Sequence, residues 1–316
     1  MTITDRTAGA LLGTATGDAL GAGYEFTTPR PDVPVDMIGG GPFGFEPGEW
    51  TDDTAMMCAI VQAAVAHRLD TTAGLDAVAA RFDDWYASRP KDIGNQTRKV
   101  LSWRFRKAAQ MQSSARQTGP NNAGNGSLMR TAAIPAAFAA DPAPDAMLTA
   151  ADAISRLTHT GVDTHYACQI WSHAIWTAIR HGALPDMHDS VDAAVPDEDR
   201  ARWHQWITAA ETQLHPHFEH NNGWVVSALQ TAWWGLHRTR TSSDHHYPAG
   251  HIFRSLTAVV RAGHDTDTTA AIAGGLIGAV YGADHLPTDW VIGLHGWPGL
   301  DAAALRQLGD QLVPEH

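Results

Sequence analysis

The chain of 316 residues holds only two cysteines, Cys58 and Cys168. Both fall inside apolar helical patterns, so they are expected as buried thiols, and a disulfide framework is excluded. Basic residues are also few. Lys and Arg number 22 against 34 Asp and Glu, a formal net charge of -12 with His neutral. A general nucleic-acid binder carries a basic face, so no nucleic-acid partner is expected. A small anion in a local pocket is still allowed. Long apolar runs are missing. The opening "MTITDRTAGALLGTATGDALG" has no basic start, and Asp18 interrupts it, against a signal peptide. "TTAAIAGGLIGAVYGA" is too short and too rich in glycine for a membrane span. A cytoplasmic monomer with no membrane partner is expected. The N-x-S/T sequons at Asn95 and Asn125 carry no meaning without secretion.

Strand-like alternation is scarce too, and helical periodicity takes its place. Apolar residues recur at three- and four-residue spacing over 7–20, 53–68, 72–87, 95–110, 127–140 and 145–157. The same spacing continues over 163–181, 198–213, 223–237, 251–262, 267–281 and 301–311. This predicts an all-α protein. Gly- and Pro-marked loops fall at 29–49, 113–126 and 240–250. None resembles a flexible linker and no repeat of 20–50 residues is present, so 1–316 is expected as one domain. Loops of this length in a compact domain are more often functional than idle.

Two acidic clusters open apolar helices. "WTDDTAMM" places Thr51, Asp52 and Asp53 ahead of "AMMCAIVQAAVA". "AGHDTDTTAAIAGGLIGAVYG" places Asp265, Asp267 and Thr268 at the start of another run about 210 residues later. Helix capping accounts for one Asp at each start, since Asp and Thr are good N-caps and a first-turn charge suits the helix dipole. The remaining aspartates are surplus to that need. If the clusters meet, four carboxylates converge and must bind cations or protonate. Hard oxygen ligands in that number suit Mg²⁺ or Mn²⁺, in one site or a pair. An EF-hand beginning at Asp265 is excluded, because its sixth and twelfth places hold Ala270 and Leu276. Gly274, Gly275, Gly278 and Gly282 in the second helix point to close backbone packing.

Other motifs are weaker alone. "GNGSLMR", from Gly124 to Arg130, precedes an apolar helix and is suited to aim N–H groups at a phosphate. Arg130 there either binds an anion or fixes the loop. No G-K-[ST] follows, so this is not a Walker loop. "GGGPFG" (39–44) matches G-x-G-x-x-G formally, but it opens no helix and is expected as a mobile surface loop. Glu25 follows a glycine-rich turn and either reaches a cleft or faces solvent. Among 18 histidines, the "LHPHFEH" tract (214–220) is broken by Pro216 as a metal motif. His159 ends one helix before another, a position more often filled by a cap or core residue than by a catalyst.

Taken in order, "GTATGDALGAGYEF", "EPGEWTDDTAMM", "DIGNQTRKVL", "GNGSLMR", "LTHTGVDTHYA", "NNGWVVSALQTAWW" and "AGHDTDTTAAIAGGLIGAVYG" resemble the ADP-ribosylglycohydrolase family over about residues 10–285. The resemblance implies a compact, orthogonal multi-helix single domain around a central dinuclear site for two divalent cations, Mg²⁺ or Mn²⁺. It implies metal ligands at Thr51, Asp52, Asp53, Asp265, Asp267 and Thr268. It matches Glu25 to a loop carboxylate with a gating or acid/base role, and Asp92 to a contact with the leaving group. Asn125, Gly126, Ser127 and Met129 match the phosphate-binding loop, and His159 a histidine near the diphosphate. The chain departs at His264, where the family's run has Gly. That residue is expected to contact substrate. The segment "GLHGWPGL" (293–300) lies outside the matching motifs.

The activity so implied is hydrolysis of the N-glycosidic bond between ADP-ribose and a protein side chain, arginine first. Asp53 or Asp265 would orient the attacking water, and Asp92 would hold the guanidinium. Alternatives are an O-linked (serine) or small ADP-ribosyl substrate, or a non-catalytic ADP-ribose-binding protein on the same scaffold. A two-metal phosphohydrolase is a further rival; it would release phosphate or AMP in place of intact ADP-ribose.

Overall fold

The computed structural model describes residues 1–120, 122–244 and 246–313. Asn121 and His245, within two of the expected loops, and residues 314–316 lie outside the described residues. Among the described residues there are fifteen α-helices. The first eight are α1 (Ile3–Ala22), α2 (Asp52–Ala66), α3 (Thr72–Ala87), α4 (Asn95–Leu101), α5 (Ala108–Gln117), α6 (Ala133–Ala137), α7 (Asp145–Ser155) and α8 (Val162–His181). They are followed by α9 (Met187–Ala194), α10 (Asp197–Thr212), α11 (Val225–Arg238), α12 (Pro248–Arg261), α13 (Thr266–Tyr281), α14 (Thr288–Val291) and α15 (Ala302–Leu312). Among the described residues the only strands are one antiparallel pair, β1 (His295–Gly296) with β2 (Leu300–Asp301). The all-α expectation holds.

Helices α1, α2 and α13 are apolar on nearly every side and buried over nearly their whole length. That pattern belongs to the centre of a helical protein, where no face meets water. The α1–α13 pair forms the axis. Gly9, Gly13, Gly17 and Gly21 stand one turn apart on α1, and a Cβ on any of them would meet α13 or the backbone just beyond it. Gly274 and Gly278 present the same bare surface back to α1. Glycine is required here because the two backbones touch. The α13 glycines were legible as a close-packing signal; the α1 stripe is their counterpart. Around this axis one continuous apolar cluster runs from Ala8 to Leu305. No helix of the described residues is long and apolar enough to cross a membrane.

Some boundaries differ from the periodicity. The helix expected over 95–110 is two helices, α4 and α5. Between them Arg104 takes φ +56, outside helical space, and its guanidinium bonds the buried Asp83 carboxylate. The helix expected over 127–140 is a 3-10 turn at Asn125–Ser127 and a short α6. Pro135, lacking an N–H, limits what can continue there. The "GGGPFG" stretch, expected as a mobile loop, is a hydrogen-bonded turn. Gly40 N–H donates to Phe45 O (2.7 Å) and Phe45 N–H donates to Gly40 O (3.0 Å). Gly39, Gly40 and Gly41 all have positive φ, which only glycine adopts in succession at no cost. The 293–300 segment acts as a buttress. Trp50 N–H donates to His295 O at 3.0 Å and Trp50 Nε1–H to Trp297 O at 3.1 Å. It thereby holds the residue just before the first acidic cluster. Both cysteines are free and buried.

Candidate functional site

The N-terminus of α2 is capped by its own Thr51, whose Oγ1 accepts from Asp53 N–H at 3.5 Å, and also from outside its own sequence. The Asp18 carboxylate, from α1, accepts from Thr51 N–H (3.0 and 3.1 Å to its two oxygens) and from Thr54 N–H (2.9 Å). Thr51 Oγ1 donates to Asp53 Oδ2 at 2.9 Å. Asp18 thus does the capping that the Asp52–Asp53 pair seemed placed to do. The second oxygen of Asp53, Oδ1, is buried and has no partner. Asp18 was read in the sequence only as a break in an apolar run. Its capping role is invisible there because its partners lie 33 and 36 residues away.

The second cluster sits at the start of α13, directly against α1. A Cβ on Gly21 would lie 2.5 Å from the Asp267 backbone, so the bare α1 surface lets Asp267 approach. Asp265 is held from two sides. Its N–H donates to Asn222 Oδ1 at 3.1 Å, and its Oδ2 accepts from Asn125 Nδ2 at 2.7 Å. Asn222 also donates to Gly263 O (2.9 Å), and its own carbonyl accepts from Asn125 Nδ2 (2.9 Å). Asn222, within the quoted "NNGW", is a site residue that the sequence reading did not single out.

The two clusters meet. Oxygens of Asp18, Asp53 and Asp267 lie within 4.8 Å of one another, and so do oxygens of Glu25, Asp265 and Asp267. Asp267 belongs to both groups. Burial is the first cause that raises the Asp52, Asp53 and Asp267 carboxyls well above their ordinary range, and neighbouring carboxylates add to it. Burial likewise pushes Asp18 up to about 6. Glu25 is pushed up to about 9 by burial, then by Asp92, Asp265, Asp52 and Asp18. No Lys or Arg forms an ion pair with these carboxylates among the described residues. A buried acidic cluster of this kind is stable only when protonated or bound to cations. The donor set is all carboxylate and hydroxyl oxygen, and Asp53 Oδ1 is an orphan acceptor. Both features fit hard divalent cations.

The clusters open into a cavity of about 620 Å³, a size suited to a small-molecule ligand. Ten of the residues expected from sequence line it: Glu25, Asp52, Asp92, Asn125, Gly126, Met129, His159, Asp265, Asp267 and Thr268. Thr51 and Asp53 are buried beside it and do not line it. Gly126 faces the His159 ring, at which a Cβ would stand 3.2 Å from Cε1. His159 Nδ1 pairs with Thr158 Oγ1 at 2.8 Å, and burial and then Arg130 push the imidazole down to about 3, so it is neutral. Burial, followed by Asp265, also raises Asp92.

Three expected or candidate residues lie elsewhere. Ser127 is buried and accepts from Cys168 Sγ at 3.5 Å, away from the cavity. Arg130 is fully buried over the Phe82 ring (4.6 Å), and it donates to Thr158 Oγ1 (2.8 Å) and Ile154 O (3.3 Å). Of its two readings, fixing the loop is the one that holds. His264 is exposed and lines a separate cavity of about 230 Å³ with His217 and His220. Its φ of +62 explains why glycine suits this position in the resembling family: the backbone is left-handed there. No group of three metal-ligating side chains forms in the "LHPHFEH" tract among the described residues.

Known proteins resemble this chain in sequence and in fold. The ADP-ribosylarginine hydrolase Tri1 of Pseudomonas putida (strain GB-1) is 31% identical over 296 residues, covering 91% of this chain and 73% of that protein. The ADP-ribosyl-[dinitrogen reductase] glycohydrolase of Rhodospirillum rubrum is 30% identical over 293 residues, covering 91% and 89%. A solved structure described as an ADP-ribosylglycohydrolase-related protein complex superposes with a TM-score of 0.74 at 26% identity, covering 98% of this chain and 97% of that one. The family model for ADP-ribosylglycohydrolase matches residues 1–316. With the acidic clusters at the heads of α2 and α13 meeting beside one cavity, the chain belongs to the ADP-ribosylglycohydrolase family.

Proposed function

We propose that this hydrolase cleaves the N-glycosidic bond between ADP-ribose and arginine on a modified protein, releasing ADP-ribose. Two divalent cations, Mg²⁺ or Mn²⁺, would be held by Thr51, Asp52, Asp53, Asp265, Asp267 and Thr268. Such cations supply Lewis acidity toward the ribose hydroxyls and a nearby water. The observation that carries the reading is the shared cavity. It sets Asp92 and Glu25 in the same chamber as Asp52, Asp265 and Asp267, with the Asn125–Gly126 loop in its wall.

The chain's own groups divide the work as follows. The Gly126 backbone N–H and the neutral His159 hold the diphosphate, while the Asn125 N–H ties the loop to Gly223 O (3.1 Å). Asp265, itself held by Asn125 and Asn222, or Asp53 orients the water and takes its proton. The bond at the anomeric carbon breaks through an oxocarbenium-like transition state. Asp92 forms a charge-assisted contact with the departing guanidinium. Glu25, which lines the same chamber, is placed to pass a proton to the leaving group. Relatives bearing the words ADP-ribosylarginine and ADP-ribosyl-dinitrogen-reductase support this substrate class.

The test offers arginine-linked and serine-linked ADP-ribosyl peptides side by side, with Mg²⁺, with Mn²⁺ and with chelator. Chelator-sensitive release of ADP-ribose from the arginine peptide is expected. Release from the serine peptide alone would overturn the linkage, and release indifferent to chelator would overturn the metal assignment.

A further inference from the structure

Among the described residues, four other than glycine have positive φ: Phe26, Arg89, Arg104 and His264. Two of the four meet. Phe26 N–H donates to His264 O at 2.6 Å, and His264 N–H donates to Thr27 O at 3.2 Å. This short bridge joins the loop that carries Glu25 to the loop that carries Asp265. Arg104 at φ +56 is explained by its bond to Asp83. Among the described residues nothing comparable holds the Phe26 side chain.

The fold disfavours a phenyl ring at position 26 on two counts. A bulky residue at φ +57 is an outlier, and glycine or asparagine would satisfy the same backbone at less cost. The ring is also 65% exposed and has no aromatic partner among the described residues. Phe43, by contrast, stands against Phe45 with centroids 6.5 Å apart. What position 26 has is an address. Phe26 lines the 620 Å³ cavity together with Glu25 and Asp92. Strain kept at a cleft wall by surrounding hydrogen bonds points to a task in that cleft.

From this we infer that Phe26 determines specificity for the guanidinium leaving group, offering its ring face to the cation that Asp92 pairs with. The inference rests on the arginine-directed reading above and assigns the surface that selects for it. A planar, weakly hydrated guanidinium stacks on an aromatic face, whereas a neutral serine hydroxyl gains nothing from one. The backbone of Phe26 helps to hold the Asp265 loop, but its ring is neither a metal ligand nor part of the diphosphate loop, so a change of side chain that keeps this backbone should act on the leaving-group side alone.

The experiment uses the Mg²⁺-loaded protein and three variants, Phe26→Ala, Phe26→Tyr and Phe26→Gly. Three quantities are read: kcat/KM on an arginine-linked ADP-ribosyl peptide, the inhibition constant of agmatine, and the Kd of ADP-ribose. Phe26→Ala should lower kcat/KM about tenfold and weaken agmatine about tenfold, within the range of a cation–π contact. ADP-ribose affinity should stay unchanged, and Phe26→Tyr should keep wild-type values. Phe26→Gly should lose the same selectivity with a Tm equal to or above wild type, because strain is relieved. An unchanged Phe26→Ala on an active wild type overturns this inference and leaves the arginine reading standing. An equal loss of ADP-ribose affinity also overturns it, by moving the ring to the other end of the cleft. A wild type that neither cleaves the arginine peptide nor responds to agmatine overturns both.

Discussion

Gly21→Ala tests whether the bare face of α1 is what places Asp267. The added Cβ would stand 2.5 Å from Asp267 Cα, 2.5 Å from Asp267 N and 2.5 Å from Thr266 O. Carbon atoms rest about 3.5–4.0 Å apart, so roughly 1 Å must open between the helices. No side chain can yield, because all three atoms are backbone. Further along the pair, Gly17, Gly13 and Gly9 are pressed just as closely, so α1 cannot shift as a body without losing them. The first turn of α13 is the part that gives. Overpacking of this kind costs about 1–3 kcal/mol, and the gain in helix propensity from Gly to Ala offsets ~1 kcal/mol of it. At about 2–4 °C per kcal/mol, Tm should fall by a few degrees. Activity should suffer more, because a 1 Å misplacement of a reacting group costs about 100-fold in rate. Thermal denaturation and the rate of ADP-ribose release, measured with and without Mn²⁺, read both effects. Gly293→Ala, which meets nothing within 4 Å and has an ordinary φ, is the control. A Gly21→Ala protein with wild-type Tm and wild-type release would refute the reasoning.

Other consequences can be checked separately. Asp18→Ala strands the buried Thr51 and Thr54 N–H groups and should cost about 2–4 kcal/mol by urea denaturation, with weakened Mn²⁺ binding by calorimetry. An unchanged denaturation midpoint would show that α2 is capped by another group. In chelator, Asp18 (about 6 against an ordinary 3.8) and Glu25 (about 9 against 4.5) bind protons in the native state that the unfolded chain has released. Stability should therefore fall as pH rises from about 4, the Asp18 share ending near 6 and the Glu25 share near 9, at about 1.4 kcal/mol per pH unit for each retained proton. Excess Mg²⁺ should flatten that slope, and a Tm that climbs with pH in chelator would contradict the sign. Asn222→Ala frees Asp265 on its backbone side and should lower kcat at least tenfold while leaving the ADP-ribose Kd near wild type. Asp92→Asn should lower kcat/KM on the arginine peptide by about 100-fold without loss of Mn²⁺ binding, and loss of the metal instead would move Asp92 into the metal site.

Much of this protein is legible from local pattern. Apolar residues at helical spacing mark α8, α11 and α12 because burial imposes that period on any helix that must hide one face, whereas α1, α2 and α13 stand out as nearly continuous runs of apolar and small residues. The scarcity of cysteine and of long apolar runs bounds the class. The Thr-Asp pairs at the heads of α2 and α13 stand out because a cap needs one carboxylate and each cluster has more. Resemblance to a family then names the cleft residues, and ten of them do line one cavity. The remainder depends on contacts between distant segments, which no local pattern encodes. Asp18 caps a helix 33 residues on, so in sequence it reads only as a charge in an apolar run. Asn222 matters through bonds to Asp265 and Gly263, about 40 residues away. His264 carries a side chain suited to a cleft, yet a left-handed backbone sends it to the neighbouring cavity. Sequence alone determined the all-helical class and most of its long helices, the surplus of carboxylates and the family, but not the short α9 and α14. Only the tertiary structure decided that the carboxylates converge, because the glycine face of α1 lets α13 come close enough to bring Asp267 beside Asp53 and Asp18.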